Sequence, residues 1–369
     1  MTRILSMDVV SLEIPFRRAF AHNLNTHKTS RPQLVRIELS GGAVGWGEAQ
    51  PRDYVTGESV ASVHAAVGEV ASLWRGLDPG GLESTAAMLH AAPQRAIAPA
   101  AFAGIELALL DAVGREEGRN VTEVLGSAPA DSLSYDGAVL GFLPSSAFGM
   151  ALMRVRKLGK TVLKLKVGRE GDRERIAAAR RILGNDVRIV LDANAAWTVE
   201  EAIANIESFR PLGIDAIEQP VAGHDLAGMA AVRAAVRLPI IADESLCTIA
   251  DARRLVAAEA ADIFNVRIGK CGGLLAALEI LDYARAHGIG THLGVMVGET
   301  GIAGTAGRLL AACVPDIRHR EFDSSGNAEL DVLVDPLAEI TNNRAPTPAL
   351  RPGLGYEIDL GQMRSAMAA

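Results

Sequence analysis

The chain has 369 residues, 49% of them hydrophobic and 22% charged, so it can bury a large core and is no disordered polymer. A net charge of −7 leaves no concentrated basic face for phosphates, and no nucleic-acid partner is expected. No uncharged apolar run is long enough to cross a bilayer, and Asp8 and Glu13 stand where a leader would need an apolar core, so neither membrane contact nor export is expected. Three cysteines (Cys247, Cys271, Cys313) form no CxxC and no paired framework, which suits a reducing cytoplasm and no structural zinc.

In chain order, Met7 to Ile14 and Gln33 to Leu39 read as strands, and Gly41-Gly42 turns the second into a third at Ala43 to Glu48. Ala21 to Arg31 (AHNLNTHKTSR) is polar and unpatterned and reads as a loop, as does Pro51 to Ser59 (PRDYVTGES). Ala- and Leu-dense helical stretches follow from about Ser59 to Leu125. Strands followed by helices predict a small α+β domain over residues 1–130.

From about Ser134 the texture changes. Eight Val/Ile/Leu runs (LSYDGAV, VLKLKV, VRIVLDAN, IDAIEQP, LPIIADES, DIFNVRI, IGTHLGV and IRHREFD) alternate with amphipathic Ala/Arg/Glu stretches. Eight strands with seven intervening helices predict a parallel α/β sheet closed into a barrel over residues 131–344. No GxGxxG or GxxxxGK[ST] supports an open nucleotide-binding sheet. No good helix is expected after Asp323; Ala345 to Gly355 is Pro/Gly-rich, and the tail, residues 345–369, is expected to return to the N-terminal domain.

The strands of a parallel barrel all open at one mouth, where function resides. The polar residues ending the runs are Lys164 and Lys166, Asp192, Glu218, Asp243, Arg267, His292, then Glu321 and Asp323. From Lys166 to His292 they recur every 24 to 26 residues, one βα unit, so their side chains should converge. Asp192, Glu218 and Asp243 make a hard oxygen donor set suited to Mg²⁺. Carboxylates after strands also cap helices, but three in register beside a lysine pair point to a site. In KLKVG, strand alternation puts Lys164 and Lys166 on one face. Only six of the 37 basic residues are lysines, so two within three residues indicate chemistry rather than solvation. A close ammonium neighbour and partial burial bring a lysine toward use as a general base. A Schiff-base lysine would leave the three carboxylates without a purpose.

KLKVG, LDANAAW, IEQP, ADES, NVRIGKCGG and GWGEAQPRDYVTGE together resemble the enolase superfamily, and within it the muconate lactonizing enzyme subgroup, over nearly the whole chain. The resemblance implies a modified TIM barrel, (β/α)7β, with an N-terminal α+β capping domain. Two cap loops, around Asn23 to Lys28 and Tyr54 to Gly57, would close the site on a small carboxylate substrate. It further implies Mg²⁺, with Mn²⁺ as a substitute, held by Asp192, Glu218 and Asp243. The shared step is removal of the proton α to a carboxylate to give an enediolate, with Lys166 matching the base and Lys164 its tuning partner. A symmetric homo-oligomer is also implied.

Two positions depart from the subgroup. Its second lysine, at the end of the sixth strand, is here Arg267, with Lys270 three residues on and expected to point elsewhere. The mandelate racemase subgroup has an Asp there to orient a seventh-strand His; here His292 is present without that Asp. Because a guanidinium does not readily exchange protons, Arg267 favours one-base chemistry such as cycloisomerisation. Glu321 and Asp323, close to an acidic pair that receives an ammonium group in dipeptide epimerases, favour an amino-acid-derived substrate. A hydroxy-acid dehydratase using Lys166 and His292 is a third reading.

Overall fold

The computed structural model describes residues 2–23, 26–321 and 343–367. Three N-terminal strands, β1 (Ile4–Ser11), β4 (Gln33–Leu39) and β5 (Val44–Ala49), form an antiparallel sheet in the order β1-β4-β5. Between the first two lies a correction. Residues read as a loop contribute β3 (Thr26–Ser30), which pairs antiparallel with β2 (Ile14–Ala21), from Ile14 opposite Ser30 to Ala21 opposite Thr26. A hairpin of this kind is held by main-chain hydrogen bonds, so its strands need no apolar alternation to announce them.

Helices α1 (Val60–Trp74), α2 (Leu82–Ala91), α3 (Gln94–Ile97) and α4 (Pro99–Glu117) follow. Ser59 and Ser62 form a reciprocal capping box that starts α1, whose Val63, Val67, Val70 and Trp74 recur at helical spacing and are buried. Proline opens α4, and Gly118, at φ 69°, closes it in the left-handed region. Almost all of α4 is buried, because it lies directly on β5. A Cβ at Gly45 or Gly47 would fall 2.1 Å from the carbonyl oxygen of Ala108 or Gly104 respectively. Glycine at these two strand positions is what lets the helix approach so closely.

The second sheet has eight parallel strands: β7 (Gly137–Leu140), β8 (Val162–Lys166), β9 (Arg188–Asp192), β10 (Ala216–Glu218), β11 (Ile240–Ala242), β12 (Ile263–Val266), β13 (Gly290–Leu293) and β14 (His319–Arg320). They pair in sequence order as a nearly closed barrel, its two ends brought together by His319 Nδ1, 3.7 Å from Asp136 Oδ1. Between them run α5 (Ser145–Lys157), α6 (Asp172–Leu183), α7 (Val199–Phe209), α8 (Leu226–Ala235), α9 (Ile249–Ala257), α10 (Ile268–Cys271) with α11 (Leu274–Ala286), and α12 (Gly301–Cys313). The run LSYDGAV proves to be two elements. Its first half is β6 (Ser132–Ser134), which pairs antiparallel with β15 (Arg344–Pro346) outside the barrel, and only Gly137 onward enters the ring.

Strand alternation sorts the interior. Val162, Val190, Ala216, Ile241 and Ile263 form a separate buried apolar cluster, the barrel floor. Two residues further along each strand, on the same face, come Lys164, Asp192, Glu218, Asp243 and Asn265. The floor therefore carries a charged layer directly above it.

The tail lies on the N-terminal domain. Leu354 N donates to Asp111 Oδ1 (2.9 Å), Tyr356 Oη donates to the Trp46 carbonyl (2.6 Å), and Arg115 pairs with Glu357 (2.9 Å). It ends in an unexpected helix, α13 (Leu360–Met367), started by Asp359, whose side chain accepts from Gly361 N and whose carbonyl accepts from Met363 N. Among the described residues no helix is long and apolar enough to cross a membrane.

Candidate active site at the barrel mouth

Lys164 and Lys166 both point into the barrel and are buried. Lys166 Nζ donates to Asp192 Oδ2 (2.6 Å). Lys164 Nζ lies 2.6 Å from Glu218 Oε2 and also pairs with Glu321 Oε1. Burial opposes the charge on Lys164, but Glu218, Glu321 and Asp192 outweigh it and raise its pKa. These carboxylates favour the charged form of Lys164 beside Lys166. For Glu321, burial is likewise outweighed by Lys164 and Arg267, and its pKa falls to about 2. Asp323 lies outside the described residues.

Arg267 Nη2 pairs with Asp243 Oδ2 and lies 3.6 Å from Glu218 Oε1. Burial works against its charge, but Asp243, Glu321 and Glu218 prevail, so it stays protonated. Four places separate β8 from β12 in a ring of eight, so Lys166 and Arg267 face each other across the mouth. Lys270 does not point away as its spacing suggests. The short turn α10 folds it back beneath the site, 2.9 Å from Asp243 Oδ1. His292 is in register with Asn265, in the charged layer above the barrel floor, and with His319. Burial, His319 and Lys164 lower its pKa to about 3, so it is neutral near pH 7.

Several residues that motif reading passed over shape this centre. Asn265 Nδ2 donates to Glu218 Oε1 (3.0 Å); as a polar residue on the inward face of an apolar strand, it was findable by alternation. Gln219 Oε1 accepts from Asp243 N (3.0 Å), Ser245 N (3.2 Å) and Ser245 Oγ (2.8 Å), tying the end of β10 to the end of β11. Gln219, Asn194 and Ala195 have φ of 37°, 44° and 60°. These left-handed conformations fall within three residues after Glu218 and Asp192, and such local strain collects at functional sites.

As they stand, no three of the described His, Cys, Asp and Glu side chains converge to hold an ion. Asp192, Glu218 and Asp243 nevertheless come from adjacent strands, and burial together with Asp192, Asp243 and Glu321 pushes the Glu218 pKa up against the pull of Lys164. A wholly oxygen donor set whose members repel one another fits a hard divalent cation.

The cap clasps the mouth through side chains that donate to barrel carbonyls. Asn23 Nδ2 reaches Val167 O and Ala193 O (2.8 Å), joining the segments beyond Lys166 and Asp192. Ser30 Oγ (2.5 Å) and Gln50 Nε2 (2.8 Å) share Gly298 O, and Arg52 Nη2 takes Val297 O (2.6 Å). Tyr54 Oη lies 3.3 Å from His22 Nε2, within electrostatic reach of Arg267 and Glu244.

The structure is a capped parallel barrel with paired lysines and three carboxylates gathered at one end. Residues 4–126 match the family model described as "Mandelate racemase / muconate lactonizing enzyme, N-terminal domain", and residues 149–362 match "Enolase C-terminal domain-like". The chain is 32% identical to a hydrophobic dipeptide epimerase of Enterococcus faecalis over 331 residues, 89% of this chain and 92% of that protein. Its fold is similar to that of an Enterococcus faecalis dipeptide epimerase complexed with Mg and L-Leu-L-Tyr (TM-score 0.84, 30% identity, 96% and 99% of the two chains). It is also similar to muconate lactonizing enzyme from Pseudomonas fluorescens complexed with muconolactone (TM-score 0.88, 27% identity, 99% of each chain). The protein belongs to the mandelate racemase/muconate lactonizing enzyme family of the enolase superfamily, and is an isomerase of that metal-dependent class.

Proposed function

We propose that this protein is a Mg²⁺-dependent isomerase that removes the proton α to the carboxylate of a small substrate with Lys166 as its one base, in the manner of a muconate cycloisomerase. The observation that carries this reading is Arg267, enclosed and held charged by Asp243 and Glu218 where a second base would stand. A lysine there could return a proton to the opposite face of the α-carbon, whereas a guanidinium with a pKa above about 12 cannot. Cycloisomerisation needs proton traffic on one face only.

In this mechanism Asp192, Glu218 and Asp243 hold the cation. Bound there, Mg²⁺ supplies Lewis-acid stabilisation of the negative charge developing on the substrate carboxylate. Lys166 Nζ takes the α-proton in the lactone-opening direction and, in the lactonising direction, donates a proton to the α-carbon of the enediolate formed by ring closure, while Lys164 contributes positive charge to the same anion. Arg267 offers a planar fork suited to carboxylate oxygens. The Asn23, Gln50 and Arg52 clasp keeps the loops in place and limits water at the mouth.

A second reading is epimerisation or racemisation of a dipeptide or N-acyl amino acid. The Enterococcus faecalis relative and Glu321 at the last strand favour it. Dehydration through His292 has less support, since burial, His319 and Lys164 hold that imidazole neutral.

Mass spectrometry after incubation in D₂O with Mg²⁺, over muconates, dipeptides, N-acyl amino acids and hydroxy acids, tests these readings against a Lys166→Ala control. The expected result is conversion of a muconate-type diacid to a lactone, abolished in the control. A one-unit mass gain with inversion would replace this proposal with two-base epimerisation, and a loss of 18 units would replace it with dehydration.

A further inference from the structure

Lys270 is one of only six lysines in the chain, and it is entirely enclosed. It sits on the four-residue turn α10, directly after Arg267. Its Nζ lies 2.9 Å from Asp243 Oδ1, donates to the Asp243 carbonyl, and donates to Leu246 O at 2.7 Å. Its protons go to the carbonyls of Asp243 and Leu246, and its charge pairs with the Asp243 carboxylate, so three oxygens of one short segment surround it. Asp243 is thereby held twice from behind, by its carboxylate and by its main chain. Gln219 holds the Asp243 N–H from the neighbouring strand. The other carboxylate oxygen, Oδ2, is left facing Arg267 and the mouth.

Stability alone gives little reason for this arrangement. Burying an ion pair is costly, and replacing both partners with well-packed apolar side chains is often neutral or stabilising. Nor does Lys270 take part in the proposed proton transfer, since Asp243 and the turn carrying it lie between Lys270 and the mouth. What a lysine supplies there, and a methionine does not, is a compact three-donor head that fixes one carboxylate rotamer.

We propose that Lys270 is a positioning residue for cation binding. It pins Asp243 Oδ1 and the turn Asp243 to Leu246, so that Oδ2 is presented to the ion at the mouth. The inference rests on the reading of Asp243 as a cation ligand. Groups that orient a metal-binding carboxylate typically change affinity by about 10- to 100-fold when removed.

The test is titration of the full-length protein with Mn²⁺, read by electron paramagnetic resonance. Lys270→Met is expected to weaken Mn²⁺ binding about 10-fold or more and to broaden the bound spectrum. In Lys270→Ala, added n-propylammonium should restore affinity while n-propanol should not. Ile280→Ala, a cavity in α11 away from the site, serves as a variant of reduced stability that keeps wild-type Mn²⁺ affinity. Should Lys270→Met fail to fold, Lys270→Ala with and without n-propylammonium carries the same comparison. A folded Lys270 variant that binds Mn²⁺ like wild type overturns the proposal, as does equal weakening in Ile280→Ala. Asp243→Asn separates the two levels: if it leaves Mn²⁺ affinity unchanged, Asp243 is no ligand and the functional reading fails with it. If Asp243→Asn weakens binding and the Lys270 variants do not, only the positioning role fails.

Discussion

Replacing Glu48 with alanine should loosen the cap from the barrel by an amount that can be worked from its hydrogen bonds. Glu48 is buried at the end of β5, and its carboxylate accepts from Thr300 N (2.9 Å), Thr300 Oγ1 (2.6 Å), Ala303 N (3.1 Å) and Gln50 Nε2 (2.9 Å). Thr300 is the N-cap of α12, so a cap-domain carboxylate satisfies the free N–H groups at the start of a barrel helix. Glu48→Ala strands Thr300 N and Ala303 N in a dry interface. Each buried, unpaired group costs about 1–3 kcal/mol, and a total near 3 kcal/mol follows if water reaches one of them. A chain of this length falls at the low end of about 2–4 °C per kcal/mol, so the midpoint should drop by about 6 °C. Glu48→Gln keeps one acceptor but turns an NH₂ toward two donors, and should lose about half as much. Scanning calorimetry of the three proteins gives the order directly. A Glu48→Ala midpoint within about 1 °C of wild type, or Glu48→Gln less stable than Glu48→Ala, would refute the reasoning.

Glu106, on α4, accepts from Leu275 N (2.9 Å) at the start of α11. Burial raises its pKa from 4.5 to about 8, against the N–H groups of Leu275 and Leu274 and the charge of Arg95. The folded protein therefore holds a proton that the unfolded chain releases. The contribution of Glu106 to stability is greatest below pH 4.5 and is lost as pH rises toward 8, by at most about 1.4 kcal/mol per pH unit. Glu106→Gln should flatten that slope in urea melts, and an unchanged slope would assign it to other groups. Gly47→Ala puts a Cβ 2.1 Å from the Gly104 carbonyl and should cost about 3 kcal/mol or prevent folding; a wild-type midpoint would show that α4 can move away freely. Arg267→Lys installs an exchangeable amine across the mouth from Lys166, and solvent deuterium should then appear with inversion on substrates that exchange on one face only. Retention of configuration in that variant would mean that the residue does not reach the α-carbon. Mg²⁺ at 100 times its Kd should stabilise the protein by about 2.7 kcal/mol, and Asp192→Asn should abolish the shift.

Much of the architecture is written locally. A 24-to-26-residue recurrence of strand-end polar residues is enough to announce a parallel barrel. Period-two alternation is enough to put Lys164, Lys166, Glu218 and Arg267 on its inner face, because a strand has only two sides. Asn265 obeys the same rule and was equally legible. The hairpin of β2 and β3 was not, since its pairing depends on main-chain bonds that leave no apolar pattern.

Which charge meets which was decided only by the tertiary structure. Spacing brings the ionisable groups to one mouth without saying that Lys166 takes Asp192, that Lys164 takes Glu218 and Glu321, or that Arg267 and Lys270 divide the two oxygens of Asp243. Three residues of α10 reverse the direction that sequence separation suggests for Lys270. The cap's hold on the barrel, through Asn23 on Val167 and Ala193 and Glu48 on Thr300, joins residues 144 to 252 positions apart. Partners so distant meet only after both units have packed, so the seal over the site belongs to the assembled fold, while the chemical groups beneath it belong to the sequence.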